Sequence, residues 1–133
     1  MIIAVDFDGT CLTHDYPEMG EDIGAIPVLK ELIENAHKLI LLTMRSGSTL
    51  EDAITWFDDN GIDLWSVNLN PEQVSWKDRS KAYAHLYIDD AGLGAPVKKD
   101  DKLSGRPFID WVLARKMLED LKVIREGINY EKC

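Results

Sequence analysis

The chain has 133 residues, 45% of them hydrophobic and 29% charged, the size and composition of one globular domain spanning 1–133. Its 24 acidic residues exceed its 15 basic ones, and the net charge of −9 argues against extensive nucleic-acid binding. No apolar run is long enough to cross a bilayer, Met1 leads straight into an apolar segment, and Cys11 and Cys133 make no disulfide framework. A cytoplasmic chain without membrane contact or targeting peptide is the expectation.

Residues 2–5, Ile-Ile-Ala-Val, predict a short strand buried on both faces of a parallel sheet. The strand stops at Asp6-Phe7-Asp8-Gly9-Thr10. Ligands of open α/β sheets sit beyond the carboxyl ends of the strands, where these acids emerge. Two acids separated by one residue project the same way from an extended backbone. Held close, they cost energy unless a cation or a proton offsets the charge. Gly9 permits a turn that a side chain would hinder, and Thr10 can hydrogen-bond the loop. Cys11, with no arginine close after it, reads as a small packing residue.

An irregular stretch, 11–24, carries His14, either a loop-packing residue or a substrate contact, with no partner visible by spacing. A helix is expected over 26–36, with Pro27 in its first turn and Val28, Leu29, Leu32, Ile33 and Ala36 on one face. Residues 38–43 predict a second strand that ends at Thr43. Arg45 follows, read as a solvated or helix-packing cation, with phosphate contact as the alternative.

Ser48 stands three residues before Glu51, the spacing of a capping box, and opens a second helix that Gly61 ends. A weaker third strand is expected at 64–67 and a fourth at 84–88, ending at Asp89-Asp90. Residues 91–106 predict a loop, with a solvated turn at 97–102. The last helix, 109–125, is expected to bury Trp111 or Val112, then Leu113, Met117, Leu121 and Ile124. Trp56 and Trp111 are read as helix packing. Alternating strands and helices mean an α/β fold, a Rossmann-like three-layer sandwich with a mainly parallel sheet and right-handed crossovers.

Apolar strand–Asp-x-Asp-Gly-Thr, apolar strand–Thr43 and apolar strand–Asp89-Asp90, in this order, resemble motifs one, two and four of the haloacid dehalogenase (HAD) superfamily. The resemblance implies that Asp6 is a nucleophile forming an aspartyl-phosphate, and that Asp8 is the general acid and base. It implies a Mg²⁺ ion held by the Asp6 carboxylate, the Asp8 backbone carbonyl and Asp89, with Asp90 assisting. Thr43 and the backbone N–H groups of the loop at Gly9 would take the substrate phosphate. The motif-three lysine is assigned to Lys81, with Lys77 in reserve. Lys81 stands eight residues before Asp89, and an extended chain would hold the two roughly 25 Å apart, so the chain must bend there.

The gaps at 11–24 and 70–80 are too short for a cap domain, so the resemblance is to small capless bacterial and phage members. That group shares Tyr16-Pro17, Thr43-Met44-Arg45-Ser46-Gly47 and Tyr87-Ile88-Asp89-Asp90, but often has an arginine at Ala91 and an aspartate at His85. The expected function is a Mg²⁺-dependent phosphomonoesterase acting on a phosphorylated small molecule, a nucleotide or a nucleic-acid end phosphate. The alternative is a non-catalytic HAD-fold module that binds Mg²⁺ or a partner.

Overall fold

The computed structural model describes residues 1–73 and 81–125. Strand β1 (Ile2–Val5) lies in the middle of a four-stranded parallel sheet, between β2 (Lys38–Leu41) and β4 (Leu86–Ile88), with β3 (Ser66–Val67) beyond β2. From β1 the chain steps outward to β2 and β3, then returns to the far side of β1 for β4. The switch of direction therefore falls between β1 and β4, where such sheets leave a crevice at the strand ends. The α/β class with a parallel sheet expected from the sequence is the observed one.

Side-chain alternation divides the sheet into two faces. Ile3, Val5 and Phe7 join Leu39, Leu41 and Ile88 in the larger core, which α1 (Ala25–Glu34), α2 (Gly47–Asp59) and α3 (Trp111–Asp120) cover. Ile2, Ala4 and Ile40 face the other way and form a smaller cluster with Ala84, Leu42 and Trp65. Ala84 comes from the connection between β3 and β4, in which residues 74–80 lie outside the described residues.

Several boundaries differ from expectation. Helix α1 stops at Glu34 because Ala36 adopts φ 64°, a left-handed conformation that ends the helical ladder. Helix α2 begins at Gly47 behind Ser46, so the Ser48–Glu51 capping box does not form; instead the Thr49 hydroxyl donates to the Ser46 carbonyl. Val97 and Lys98 are not a solvated turn. They form β5 (Val97–Lys98), paired antiparallel with β6 (Phe108–Ile109), and Ile109 is strand rather than helix. Asp110 then caps α3 by accepting from the Val112 and Leu113 N–H groups. This fixes a different buried stripe: Trp111, Ala114 and Leu118 face the core, while Val112, Leu113, Met117 and Leu121 are exposed. Ile124 is buried as expected. No described helix is long and apolar enough to cross a membrane.

The observed phase of α3 makes a direct contrast. Leu118→Ala, emptying a buried site, is expected to cost about 2–5 kcal/mol of unfolding free energy. Leu121→Ala, at a residue 62% exposed, should cost about 0.5 kcal/mol or less. Urea unfolding of the two variants against the wild type checks both values.

Candidate functional site

Register brings the acids together. Val5 is level with Leu41 on one side and with Ile88 on the other, so the next residues, Asp6 and Asp89, leave adjacent parallel strands side by side. The Asp6 N–H donates to the Ile88 carbonyl at 3.0 Å and holds that alignment one residue past the ladder. Carboxylate oxygens of Asp6, Asp89 and Asp90 all lie within 4.8 Å of one another. Three hard oxygen donors at that spacing could hold a divalent cation of the Mg²⁺ or Ca²⁺ kind.

Thr10, fully buried, links the two sides of the crevice. Its hydroxyl lies 3.0 Å from an Asp6 oxygen and 3.2 Å from an Asp90 oxygen, and it accepts the Asp90 N–H at 3.1 Å. The Ala91 N–H donates to Asp89 at 2.9 Å. These donors do not cancel the crowding. Burial, then the charge of Asp89, then a hydrogen bond to Asp90 push the Asp6 carboxyl up to about 7, against the opposing pull of Thr10 and of the Phe7 N–H. Cys11 beneath them is fully buried, and its thiol is pushed well above the usual value by burial and by the charges of Asp6 and Asp8. It is a packing residue, as the sequence suggests.

The loop after the two acids is clamped from outside. Its Gly9 carbonyl accepts the Ile109 N–H at 3.0 Å, and the Trp111 indole N–H donates to the Thr10 carbonyl at 2.7 Å. Gly9 has φ 84°, and a Cβ there would stand 2.0 Å from His14 Nε2 and 2.5 Å from an Asp90 oxygen. The glycine is thus required both by its backbone angle and by close approach. His14, which showed no partner in the sequence, lies 2.8 Å from that same Asp90 oxygen, across 76 positions. Nothing in local spacing could have found that contact.

Asp8 does not join the acid cluster with its carboxylate. Both of its oxygens accept from Arg45, Nη2 at 2.7 Å and Nε at 2.8 Å. Arg45 is therefore not a solvated cation: it is buried, 3% exposed, and Asp8 raises its proton affinity further. Nor is it placed to bind phosphate, because its remaining N–H groups meet the carbonyls of Pro17, Glu18 and Thr49. No described hydrogen bond falls on the Asp8 backbone carbonyl, the cation ligand that the resemblance in sequence implies.

Thr43 stands two residues past Leu41 at the neighbouring strand exit. Its N–H donates to Asn68 Oδ1 at 2.8 Å, and its hydroxyl accepts the Arg45 N–H at 3.2 Å, without a hydrogen bond to the acid cluster. The chain bends at Lys81, whose side chain packs on Tyr87. Gln73 holds the bend by donating to the Lys81 carbonyl and accepting from Tyr83 N–H, and the Tyr87 hydroxyl ties Ala82 to Ala84. The Lys81 ammonium rests 4.7 Å above the Tyr87 ring. The Tyr87 hydroxyl reaches Ala82 and Ala84 just before β4, and Lys81 makes no ion pair with Asp6, Asp89 or Asp90 among the described residues. Lys77 and Trp76 lie outside the described residues.

A solved structure of a conserved protein from Bacteroides thetaiotaomicron is similar to this chain, with 35% sequence identity, 91% of each chain covered and a TM-score of 0.73. The chain belongs to the same family as that conserved protein. The likeness establishes fold and family and assigns no activity. No family model matches the sequence, and no curated protein matches it.

Crowding of the acids has a sign in the pH dependence of stability. The folded chain keeps a proton on Asp6 between the usual carboxyl value of 3.8 and about 7, where the unfolded chain has released it. Stability contributed by this group is therefore fully present below about pH 4, lost as pH rises through about 7, and constant above. Asp6→Asn should remove that decline, and millimolar Mg²⁺ should flatten it in the wild type. Thermal melts across pH 4–8, compared between wild type and variant, isolate the Asp6 contribution.

Proposed function

We propose that the chain is a Mg²⁺-dependent phosphomonoesterase of the HAD kind, working through an aspartyl-phosphate on Asp6. One observation carries the reading: Asp6, Asp89 and Asp90 converge from two parallel strand ends at the switch point, where burial first and the charge of Asp89 second make Asp6 resist ionisation. A fold gains nothing from that repulsion alone, whereas a cation at the same spot relieves it.

In the first step an Asp6 oxygen attacks phosphorus, the bond to the leaving oxygen breaks, and Asp8 supplies the proton that oxygen needs. In the second, water attacks phosphorus, Asp8 takes the water proton, and inorganic phosphate leaves with the original carboxylate restored on Asp6. Mg²⁺ supplies charge neutralisation that lets two anions approach, and Asp6, Asp89, Asp90 and the Asp8 carbonyl would hold it. Thr43 and Lys81 would take the phosphate oxygens, Lys81 by swinging off the Tyr87 ring; the Gly9 N–H, expected from the sequence to join them, instead donates to the Leu12 carbonyl at 2.8 Å. The substrate is a phosphorylated small molecule or a nucleotide, reached through a crevice that no cap domain covers among the described residues; the net charge of −9 disfavours long nucleic-acid contacts.

One observation favours the second reading, a non-catalytic Mg²⁺- or partner-binding module: both Asp8 oxygens are occupied by Arg45. Hydrolysis of p-nitrophenyl phosphate separates the two. The phosphatase reading expects turnover that needs Mg²⁺ and falls at least about a thousandfold in Asp6→Asn, the scale of losing a covalent nucleophile. Calorimetric Mg²⁺ binding with no turnover on aryl, sugar or nucleoside phosphates would instead support the module.

A further inference from the structure

The pair made by Asp8 and Arg45 is asymmetric, and the asymmetry points to a use. The Arg45 side chain is 1% exposed, while the Asp8 side chain keeps 19%. Every guanidinium N–H has an acceptor: Nε and one Nη2 hydrogen on Asp8, the other on the Glu18 carbonyl at 2.7 Å, and Nη1 on the carbonyls of Thr49 and Pro17 at 3.2 and 3.4 Å. The rings of Phe7 and Tyr16 lie 5.0 and 5.3 Å from its central carbon. Burying a charge is costly unless its hydrogen bonds are met, and here they are met by three separate segments. Those are the exit of β1, residues 16–19 and the first turn of α2.

None of these anchors belongs to the Asp6–Asp89–Asp90 network. The fork would therefore stay in place if one Asp8 oxygen turned from it toward the crevice, since three carbonyls and two rings still hold it. A surface lysine could neutralise Asp8 equally well, but its single ammonium could not set the direction of a carboxylate as a planar fork does. We propose that Arg45 is the positioning residue of Asp8, a fixed guanidinium that aims its carboxylate for proton transfer in both steps. The inference rests on the phosphatase reading and adds to it a residue that touches neither substrate nor cation.

The test is a comparison of leaving groups in Arg45→Lys, with p-nitrophenyl phosphate, whose phenolate departs without a proton, and β-glycerophosphate, whose alkoxide requires one. Misaimed acid catalysis should lower kcat/KM, which reports the first step and not the hydrolysis common to both esters, about tenfold more on β-glycerophosphate than on p-nitrophenyl phosphate, a part of the 10²–10⁴ that a positioned acid supplies. The Mg²⁺ dependence should stay as in the wild type. Should Arg45→Lys not fold, Tyr16→Ala removes the exposed ring from one face of the guanidinium and should shift the same ratio about threefold, the scale of one exposed cation–π contact. Equal losses on both esters in a folded variant, or no loss at all, would overturn the inference and leave the phosphatase reading standing. A wild type inactive on both esters would overturn the two together.

Discussion

Repulsion between carboxylates at the junction of β1 and β4 is the constraint around which the structure is arranged. Parallel register leaves no freedom in it: once Val5 is level with Ile88, Asp6 and Asp89 must emerge as neighbours. Strands in a sheet are about 4.8 Å apart, so the two acids start within reach of one another before any side chain turns. The surroundings reduce the cost only in part. Thr10 offers one hydroxyl hydrogen to two acceptors, Asp6 and Asp90, and cannot satisfy both at once. His14 takes the far side of Asp90. Burial first, and the remaining charge of Asp89 second, raise the proton affinity of Asp6. Structural acid clusters are usually broken by a lysine or arginine placed among them, yet the buried arginine of this site lies with Asp8 instead.

That separation gives the crevice two networks. The first is oxygen-rich and, among the described residues, has no lysine or arginine paired with it, a setting for a cation. The second is a closed ion pair complete in itself. They share the backbone of Asp6-Phe7-Asp8-Gly9-Thr10, whose carbonyls are in turn held by β6 and by Trp111. Phe7 connects the loop to the core between them: its ring packs edge-on against Trp56, lies near Phe57, and supports the Arg45 guanidinium on one face. The segment that carries the acids is thus fastened from the helix side by an aromatic cluster, so they project from a rigid base.

How much of this the sequence disclosed follows from the range of each interaction. Residues 2–5 were legible because a buried parallel strand is a continuous apolar run, and the acids that end it stand in the same stretch. Asp89-Asp90 was legible as a strand end for the same reason. The pairing of His14 with Asp90 and of Arg45 with Asp8 crosses 76 and 37 positions, and no local period encodes either. Strands β5 and β6, two residues each, are too short to show alternation. The Ser48–Glu51 spacing was a true pattern with the wrong outcome: Ser46 took the cap position because Arg45 must turn inward immediately before it, which sets where α2 can begin.

The same dependence of helix on site explains α3. Two apolar stripes run along it, Trp111-Ala114-Leu118 and Leu113-Met117-Leu121, and periodicity cannot choose between them. Buried area does not decide strongly either, since each large aliphatic or aromatic side chain contributes about 1.5–3 kcal/mol when covered. Polar demands separate them. The Thr10 carbonyl, behind the acids, needs a donor, and leaving it bare would cost about 1–3 kcal/mol. Only the stripe with an indole N–H can meet it. Turning Trp111 inward supplies that bond, Asp110 caps the first turn in the matching phase, and the second apolar stripe is left facing solvent. The helix is oriented by the loop that holds the carboxylates, so the phase of a core element was set by a hydrogen bond of the site.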